Sequence, residues 1–269
     1  MKETDLKLIV KEKYGQLAKQ SLLASETSCC GTSGCCGELQ FSMIGDEYTG
    51  VEGHLADADL GLGCGLPTEY AFIKKGDTVI DLGSGAGNDC FVARALVGEE
   101  GLVIGIDMTE AMIEKAYENN RKMGYGNVEF LLGDIEDMPL AESTADVVIS
   151  NCVLNLVPDK RKAFSEIYRV LKPGAHLSVS DVVLKGQLAE KLKQDAEMYA
   201  GCVAGAIPLD EYLAIMAESG LANMKVQKEK QIRLPDEMLK NYLSQEEISD
   251  YKQSGNGIFS VTVYAEKEN

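Results

Sequence analysis

Positive charge is scarce in this sequence of 269 residues: Lys and Arg number 26 against 43 Asp and Glu, a formal net charge of −17. A surface of that sign repels phosphate backbones and anionic headgroups, so nucleic acid and membrane surfaces are poor partners and solubility is favoured. Histidine is almost missing. The two present, His54 and His176, sit in no pattern that marks a general acid or base, and each reads as an ordinary surface or core residue. No apolar run approaches the roughly 18 residues that cross a bilayer. The first segment, MKETDLKLIVKEKYGQLAKQ, has no apolar core of a secretory signal. These absences together point to the cytoplasm, where thiols are kept reduced and structural disulfides are rare.

What is present is an ordinary globular composition, 45% hydrophobic and 26% charged. The length suits one large core with appended segments. Leu6, Ile9, Val10, Tyr14 and Leu17 recur at helical spacing, which predicts an amphipathic helix over 4–23. Residues 24–65 are rich in Ser, Gly, Thr and Cys and form a long connection. From Leu66 the texture changes to alternating strand and helix signals. A short helix around Pro67 to Ile73 leads into DTVIDLGSGAGND, then GLVIGID, the helical TEAMIEKAYENNRKMG, NVEFLLGDIEDMP, ADVVISNCVLNLV, the helical KRKAFSEIYRVLKPG and the strand AHLSVSDVV. That alternation predicts right-handed βαβ units and a doubly wound, mostly parallel sheet in an α/β fold. The strands are nearly continuous apolar runs, as expected where helices cover both faces. Residues 186–221 read as helices, and NMKVQKEKQI and GIFSVTVYAEKE read as an antiparallel pair at one sheet edge.

In DLGSGAGND, Asp81 closes the first strand and Gly83, Gly85 and Gly87 fall at alternate positions. Glycine lets the backbone turn tightly and approach a ligand closely. The strand–turn–helix setting is the switch-point crevice where doubly wound sheets bind ligands. The dinucleotide fingerprint needs a further glycine at position 88, which is Asn88 here, and the loop has almost no Lys or Arg to cradle phosphate. Asp107 ends the second strand about 20 residues past the loop, where an acidic side chain accepts bonds from ribose hydroxyls.

This D-x-G-x-G-x-G pattern followed by GID resembles the class I S-adenosylmethionine-dependent methyltransferases over residues 66–184. GDIEDMPL, SNCVLNL and RVLKPGAHL match further elements of that family. The resemblance implies a Rossmann-like seven-stranded sheet with S-adenosylmethionine bound by Asp81, Gly83, Ser84, Gly85 and Gly87. It further implies that Asp107 holds the ribose, Met108, Asp134 and Ile135 meet the adenine, and Asn151 lies near the methionine moiety.

The eight cysteines speak to the acceptor. Cys152 stands at the end of strand four on the ligand side of the sheet. Cys64, in LGLGCGLP, and Cys202, in YAGCVAGA, are flanked by glycines that suggest close backbone approach. Cys90, in the helix after the glycine loop, reads as core filling. Thiolates gathered in space suit a thiophilic centre such as trivalent arsenic. The adjacent pairs Cys29–Cys30 and Cys35–Cys36 lack the spacing of a zinc knuckle and read as a glycine-hinged thiol arm.

With EKYGQLA, the paired CC…CCG, DADLGLGCGLP, SNCVLNLVPDK and AGCVAGA, nearly the whole chain is similar to the arsenite S-adenosylmethionine methyltransferases. The resemblance implies an N-terminal helix and Cys-rich arm over 1–65, a cofactor-binding core over 66–184 and an arsenic-binding helical segment with the final β-hairpin over 185–269. It implies As(III) at Cys64, Cys152 and Cys202, and one of Cys29, Cys30, Cys35 or Cys36 working with Cys64. It also implies stepwise methylation, with a protein disulfide formed as arsenic returns to the trivalent state, reset by thioredoxin or glutathione. Tyr14 is expected on the cofactor side. Two other readings compete: a class I enzyme methylating a carbon or oxygen of a quinone- or sterol-like molecule, and a non-catalytic metalloid-binding protein. Cys64 and Cys202 discriminate against the first, the glycine loop with Asp107 against the second.

Overall fold

The near-continuous apolar runs form strands because Val, Ile and Leu pack well on a pleated surface covered from both sides. A computed structural model describes residues 7, 8, 10–18, 48, 50–186, 205–234 and 236–269. Its strands are β1 (Thr78–Leu82), β2 (Leu102–Asp107), β3 (Val128–Leu132), β4 (Ala145–Asn151), β5 (Leu171–Lys185), β6 (Leu221–Ile232) and β7 (Gly257–Lys267). They make one seven-stranded sheet in the order β3-β2-β1-β4-β5-β7-β6. β1 to β5 pair in parallel, and β7 runs antiparallel to both β5 and β6. The doubly wound, mostly parallel α/β sheet expected from the sequence is what forms.

Helical residues 10–18 form α1. They are followed by α2 (Asn88–Val97), α3 (Glu110–Met123), α4 (Lys160–Val170), α5 (Leu209–Glu218), α6 (Asp236–Leu239) and α7 (Gln245–Gln253). Alternate residues of each strand feed opposite faces of the sheet. Ile80, Leu82 and Ile106 pack with Phe164 and Ile167 of α4 and Tyr212 and Met216 of α5. Val79, Val103 and Ile149 pack with Phe91 and Val97 of α2 and Ala116 of α3. A third apolar cluster lies where β5 and β7 run on past β4. It joins Cys64 and Cys152 to Val182, Leu184 and Ile258, with Leu239 of α6 and Ile248 of α7 over them.

Three details differ from the sequence reading. The helix expected over Pro67 to Ile73 is a 3-10 turn, Pro67–Tyr70; Phe72, at φ 47, leaves the helical region and stops it. The two final strands do pair antiparallel, but no tight hairpin joins them. The connection over 233–256 carries α6 and α7, and α7 starts on a capping box in which Ser244 and Glu247 satisfy each other's backbone N–H. β7 then lies inside the sheet, leaving β6 at the edge with Lys225 and Lys230 exposed along it. The expected helix at the start of 186–221 falls outside the described residues, as does all of 19–47.

Phe164 is fully buried and meets the Tyr212 ring edge-on, centroids 5.4 Å apart. Phe164→Ala should therefore cost about 3–5 kcal/mol of stability, the usual range for emptying a buried aromatic site. Urea unfolding monitored by circular dichroism checks this.

Candidate active site

In a doubly wound sheet the chain crosses from one half to the other at a switch point, and the carboxyl ends of the strands there leave a crevice. Here that point is the β1–β4 boundary. β1 leads into Gly83, Gly85 and Gly87, at φ 68, 52 and 96, a backbone path that side chains with a Cβ rarely follow. Nothing lies within 4 Å of where a Cβ on Gly85 would sit, because this residue faces open space. The cleft encloses about 1090 Å³, counting space open to solvent, enough for a ligand of nucleoside size.

The sequence-predicted cofactor residues converge on this cleft. Asp81, Gly83, Ser84, Gly85, Asp107 and Met108 line it. So do Asp134, Ile135, Asn151 and Cys152. Gly87 lies just behind, where a Cβ would meet the Phe130 ring at 2.8 Å. Asp107 ties loop to helix: one carboxylate oxygen accepts the Gly85 N–H at 3.0 Å, the other the Thr109 N–H at 2.8 Å. Burial nevertheless pushes its carboxyl up from the usual range, against those two backbone bonds. Among the described residues, Ser84 Oγ and Asn88 Oδ1 are buried without a hydrogen-bond partner, and both belong to the cleft wall. Buried polar atoms are ordinarily paired, so these two fit a ligand with polar groups of its own.

Helix α1 contributes to the cleft from above. Val10 and Tyr14 line it, as expected for Tyr14. Lys7, also helical, reaches Asp134 at 2.5 Å and Glu136 at 2.7 Å. For Asp134, burial raises the carboxyl but the Lys7 ammonium and the Glu136 N–H outweigh it, and the net shift is downward.

The three described thiols separate into two kinds. Cys90 is fully buried and donates to Asp81 Oδ2 at 3.2 Å. Burial and that carboxylate push its thiol well up, the setting of an inert structural cysteine. Cys64 and Cys152, 88 positions apart in sequence, have their sulfurs within 4.8 Å of each other and of an Asp181 carboxylate oxygen. Cys152 sits at φ 61, a left-handed conformation that is uncommon outside glycine and that clusters at functional sites. Asp181 was not singled out by sequence reasoning, although a carboxylate inside the apolar run SVSDVV is a legible anomaly. It accepts from Val182 N–H at 2.9 Å and from the Tyr212 hydroxyl at 3.1 Å. Burial lifts its pKa to about 6 against those bonds and the Lys160 charge.

Tyr48 and Asp89 were also not anticipated. The Tyr48 hydroxyl donates to Asp89 Oδ1 at 2.6 Å, and both residues line the cleft. Neither histidine lines it: His54 pairs with Asp59 at 3.2 Å and His176 bonds to the Ala71 carbonyl at 2.5 Å. Cys29, Cys30, Cys35, Cys36 and Cys202 lie outside the described residues.

The strand order and the switch-point cleft define a class I methyltransferase, and a family model described as "Methyltransferase domain" matches residues 73–240. The sequence is 42% identical over 231 residues to the arsenite methyltransferase of Halobacterium salinarum, a match covering 81% of this chain and 58% of that one. It is 33% identical over 237 residues to the arsenite methyltransferase of Aquipseudomonas alcaligenes, covering 86% and 66%. The crystal structure of an arsenic(III) S-adenosylmethionine methyltransferase from Chlamydomonas reinhardtii superposes with a TM-score of 0.63 at 34% identity, over 77% of this chain and 67% of that one. The chain belongs to the arsenite methyltransferase family. It spans less than two thirds of the length of those two curated relatives.

Asp181 yields a pH-dependent prediction. Its folded pKa, about 6, lies above the unfolded value, so between the two the folded chain holds a proton that the unfolded chain has released. Stability conferred through this group therefore falls as pH rises from about 4 to about 6, and the loss is complete above that. Two pK units correspond to about 3 kcal/mol. Relative to Asp181→Asn, the parent should lose roughly that amount between pH 4 and pH 7, read from urea unfolding at each pH.

Proposed function

We propose that this chain methylates trivalent arsenic with S-adenosylmethionine as methyl donor. The observation that carries the reading is the buried pair Cys64 and Cys152, drawn within 4.8 Å of each other beside the cleft that Cys152 lines. When bound, S-adenosylmethionine supplies a methyl carbon made electrophilic by its sulfonium sulfur.

In this reading Asp107 offers the ribose the lone pairs left over from its two backbone bonds. Met108 and Ile135 give the adenine an apolar bed beside Asp134, and the glycine loop with Ser84 and Gly85 leaves room for the rest. Cys64 and Cys152 bind arsenic as thiolates, which suit a soft centre and leave its lone pair as the nucleophile. Cys202 serves as third thiolate, and one of Cys29, Cys30, Cys35 or Cys36 exchanges with Cys64. The site's main contribution is to hold acceptor and donor in register. Each transfer takes arsenic from the trivalent to the pentavalent state. Return to the trivalent state takes two electrons from a protein thiol pair: two S–H bonds give way to one disulfide, which thioredoxin or glutathione then reduces. The cytoplasm, where that reducing pool resides, is the proposed location; among the described residues no helix is long and apolar enough to cross a membrane.

Arsenite, labelled S-adenosylmethionine and a thiol should yield methylated arsenicals. Cys64→Ser and Cys152→Ser should each cut that rate by more than about 100-fold, beyond the 10–100-fold typical of supporting residues around a bound ion, while leaving cofactor affinity unchanged. Full activity in either variant, or tight arsenite binding without product in the parent, defeats the proposal. Asp107→Ala should act on the other half of the site. Losing hydrogen bonds to a charged group worth about 1.5–3 kcal/mol should raise the cofactor Kd roughly 10- to 100-fold by calorimetry.

A further inference from the structure

Asn151 ends β4, and Cys152 follows it. Its side chain is expected beside the methionine end of the cofactor, yet every polar atom it has is already engaged within the protein. Oδ1 accepts the Cys64 backbone N–H at 2.9 Å. Nδ2 has three acceptors in reach: the Tyr48 hydroxyl at 2.8 Å, the Gly65 carbonyl at 2.9 Å and Asp89 Oδ2 at 3.0 Å. A carboxamide has only two N–H groups, so three acceptors leave no proton for a ligand. The Tyr48 hydroxyl closes the network by donating to the other oxygen of Asp89.

The backbone around Cys64 is pressed against the same amide. A Cβ on Gly63 would come within 2.8 Å of Asn151 Nδ2, and one on Gly65 within 2.6 Å of Ser180 Oγ. Two close approaches, the amide at Gly63 and Ser180 at Gly65, leave no room for a Cβ on either side of Cys64. A single residue thus meets both cysteines: its main chain delivers Cys152, and its side chain holds the loop that delivers Cys64. Through Asp89 the same amide is joined to the wall of the cofactor cleft.

We infer that Asn151 is a positioning residue that sets the spacing of Cys64 and Cys152 and fixes the pair against the cofactor cleft, rather than a hydrogen-bond donor to the cofactor. The inference rests on the arsenic-thiolate reading of that pair. Without the amide, the Cys64 N–H loses its acceptor and the loop its contact surface. The two sulfurs then sample separations that a single arsenic atom does not span. The cleft itself keeps its glycine loop and Asp107.

The test uses the full chain with Cys29, Cys30, Cys35, Cys36 and Cys202 all changed to Ser, leaving Cys64, Cys90 and Cys152. The probe is phenylarsine oxide, which condenses with two thiols: two S–H bonds break, two As–S bonds form, one water leaves and nothing is oxidised. Its affinity and that of S-adenosylmethionine are measured for this parent, for Asn151→Ala and for Gly63→Ala. The Gly63 variant lifts the loop from the amide without altering Asn151, and it decides the matter alone if Asn151→Ala does not fold. Both variants should bind phenylarsine oxide at least about 10-fold more weakly, the scale of a lost supporting residue, with cofactor affinity unchanged. A weakened cofactor with unchanged phenylarsine oxide binding would overturn the inference in favour of a direct cofactor contact, and unchanged binding of both would overturn it outright. A parent that fails to bind phenylarsine oxide overturns the arsenic reading of the pair, and the inference with it.

Discussion

The antiparallel ladder between β5 and β7 is the constraint on which the thiol site depends. It runs unbroken from His176 opposite Glu266 to Lys185 opposite Gly257, well past the end of β4. A paired ladder of that length holds its residues in fixed register, because a slip of one position would turn every side chain to the opposite face. Both cysteine segments are attached to it. The Cys152 N–H bonds to the Ser180 carbonyl at 2.8 Å, and the Ser260 hydroxyl donates to the Cys64 carbonyl. Ser180 Oγ and Thr262 Oγ1 meet at 2.9 Å across the same ladder. The sheet thus supplies a rigid floor of buried hydroxyls, and two segments from distant parts of the sequence are laid on it.

The surroundings of Cys64 and Cys152 differ from those of Cys90. Cys90 faces Asp81 in a fully buried pocket and is held as a protonated donor. Cys64 and Cys152 are nearly as buried, at 2% and 3% exposure, but Cys152 borders open cleft. Similar burial therefore leaves the thiols facing different neighbours, a carboxylate for Cys90 and the cleft for Cys152. The same holds for the carboxylates. Asp81, Asp89 and Asp107 are all raised by burial, whereas Asp134, partly exposed and in contact with Lys7, is lowered.

The sheet and the cofactor cleft were legible in the sequence because both follow from local signals. Apolar runs specify strands, and the glycines with Asp107 specify a turn and its brace. The convergence of the cysteines was legible only through the strand-end place of Cys152, the glycines around Cys64 and the family resemblance, since nothing local tells Cys64 that it will meet Cys152. Asp181, Tyr48 and Asp89 escaped notice for a physical reason: their roles come from partners far away in the chain. Tyr48 meets Asp89 across 41 positions and Asp181 meets Tyr212 across 31. α6 and α7 were missed although Ser244 and Glu247 announce a helix start, because the segment was read as the turn of a hairpin. The interior place of β7 follows from pairing partners, which an alternating pattern alone does not name.

The position of β7 has a kinetic consequence. It follows β6 in the sequence yet lies between β5 and β6, so β5 lacks its outer partner and β6 its inner one until β7 inserts. Contacts of such long range form late, since the entropy of closing large loops is lost before the contacts reward it. Ser260 reaches Cys64 across 196 positions, one of the longest closures in the fold. The glycine loop, Asp107 and β1 to β4 lie within the stretch 78–151 and can assemble before that happens. The turn and its brace can thus form from local contacts, whereas the Ser260 anchor of the Cys64 segment waits for the last strand of the sheet to find its slot.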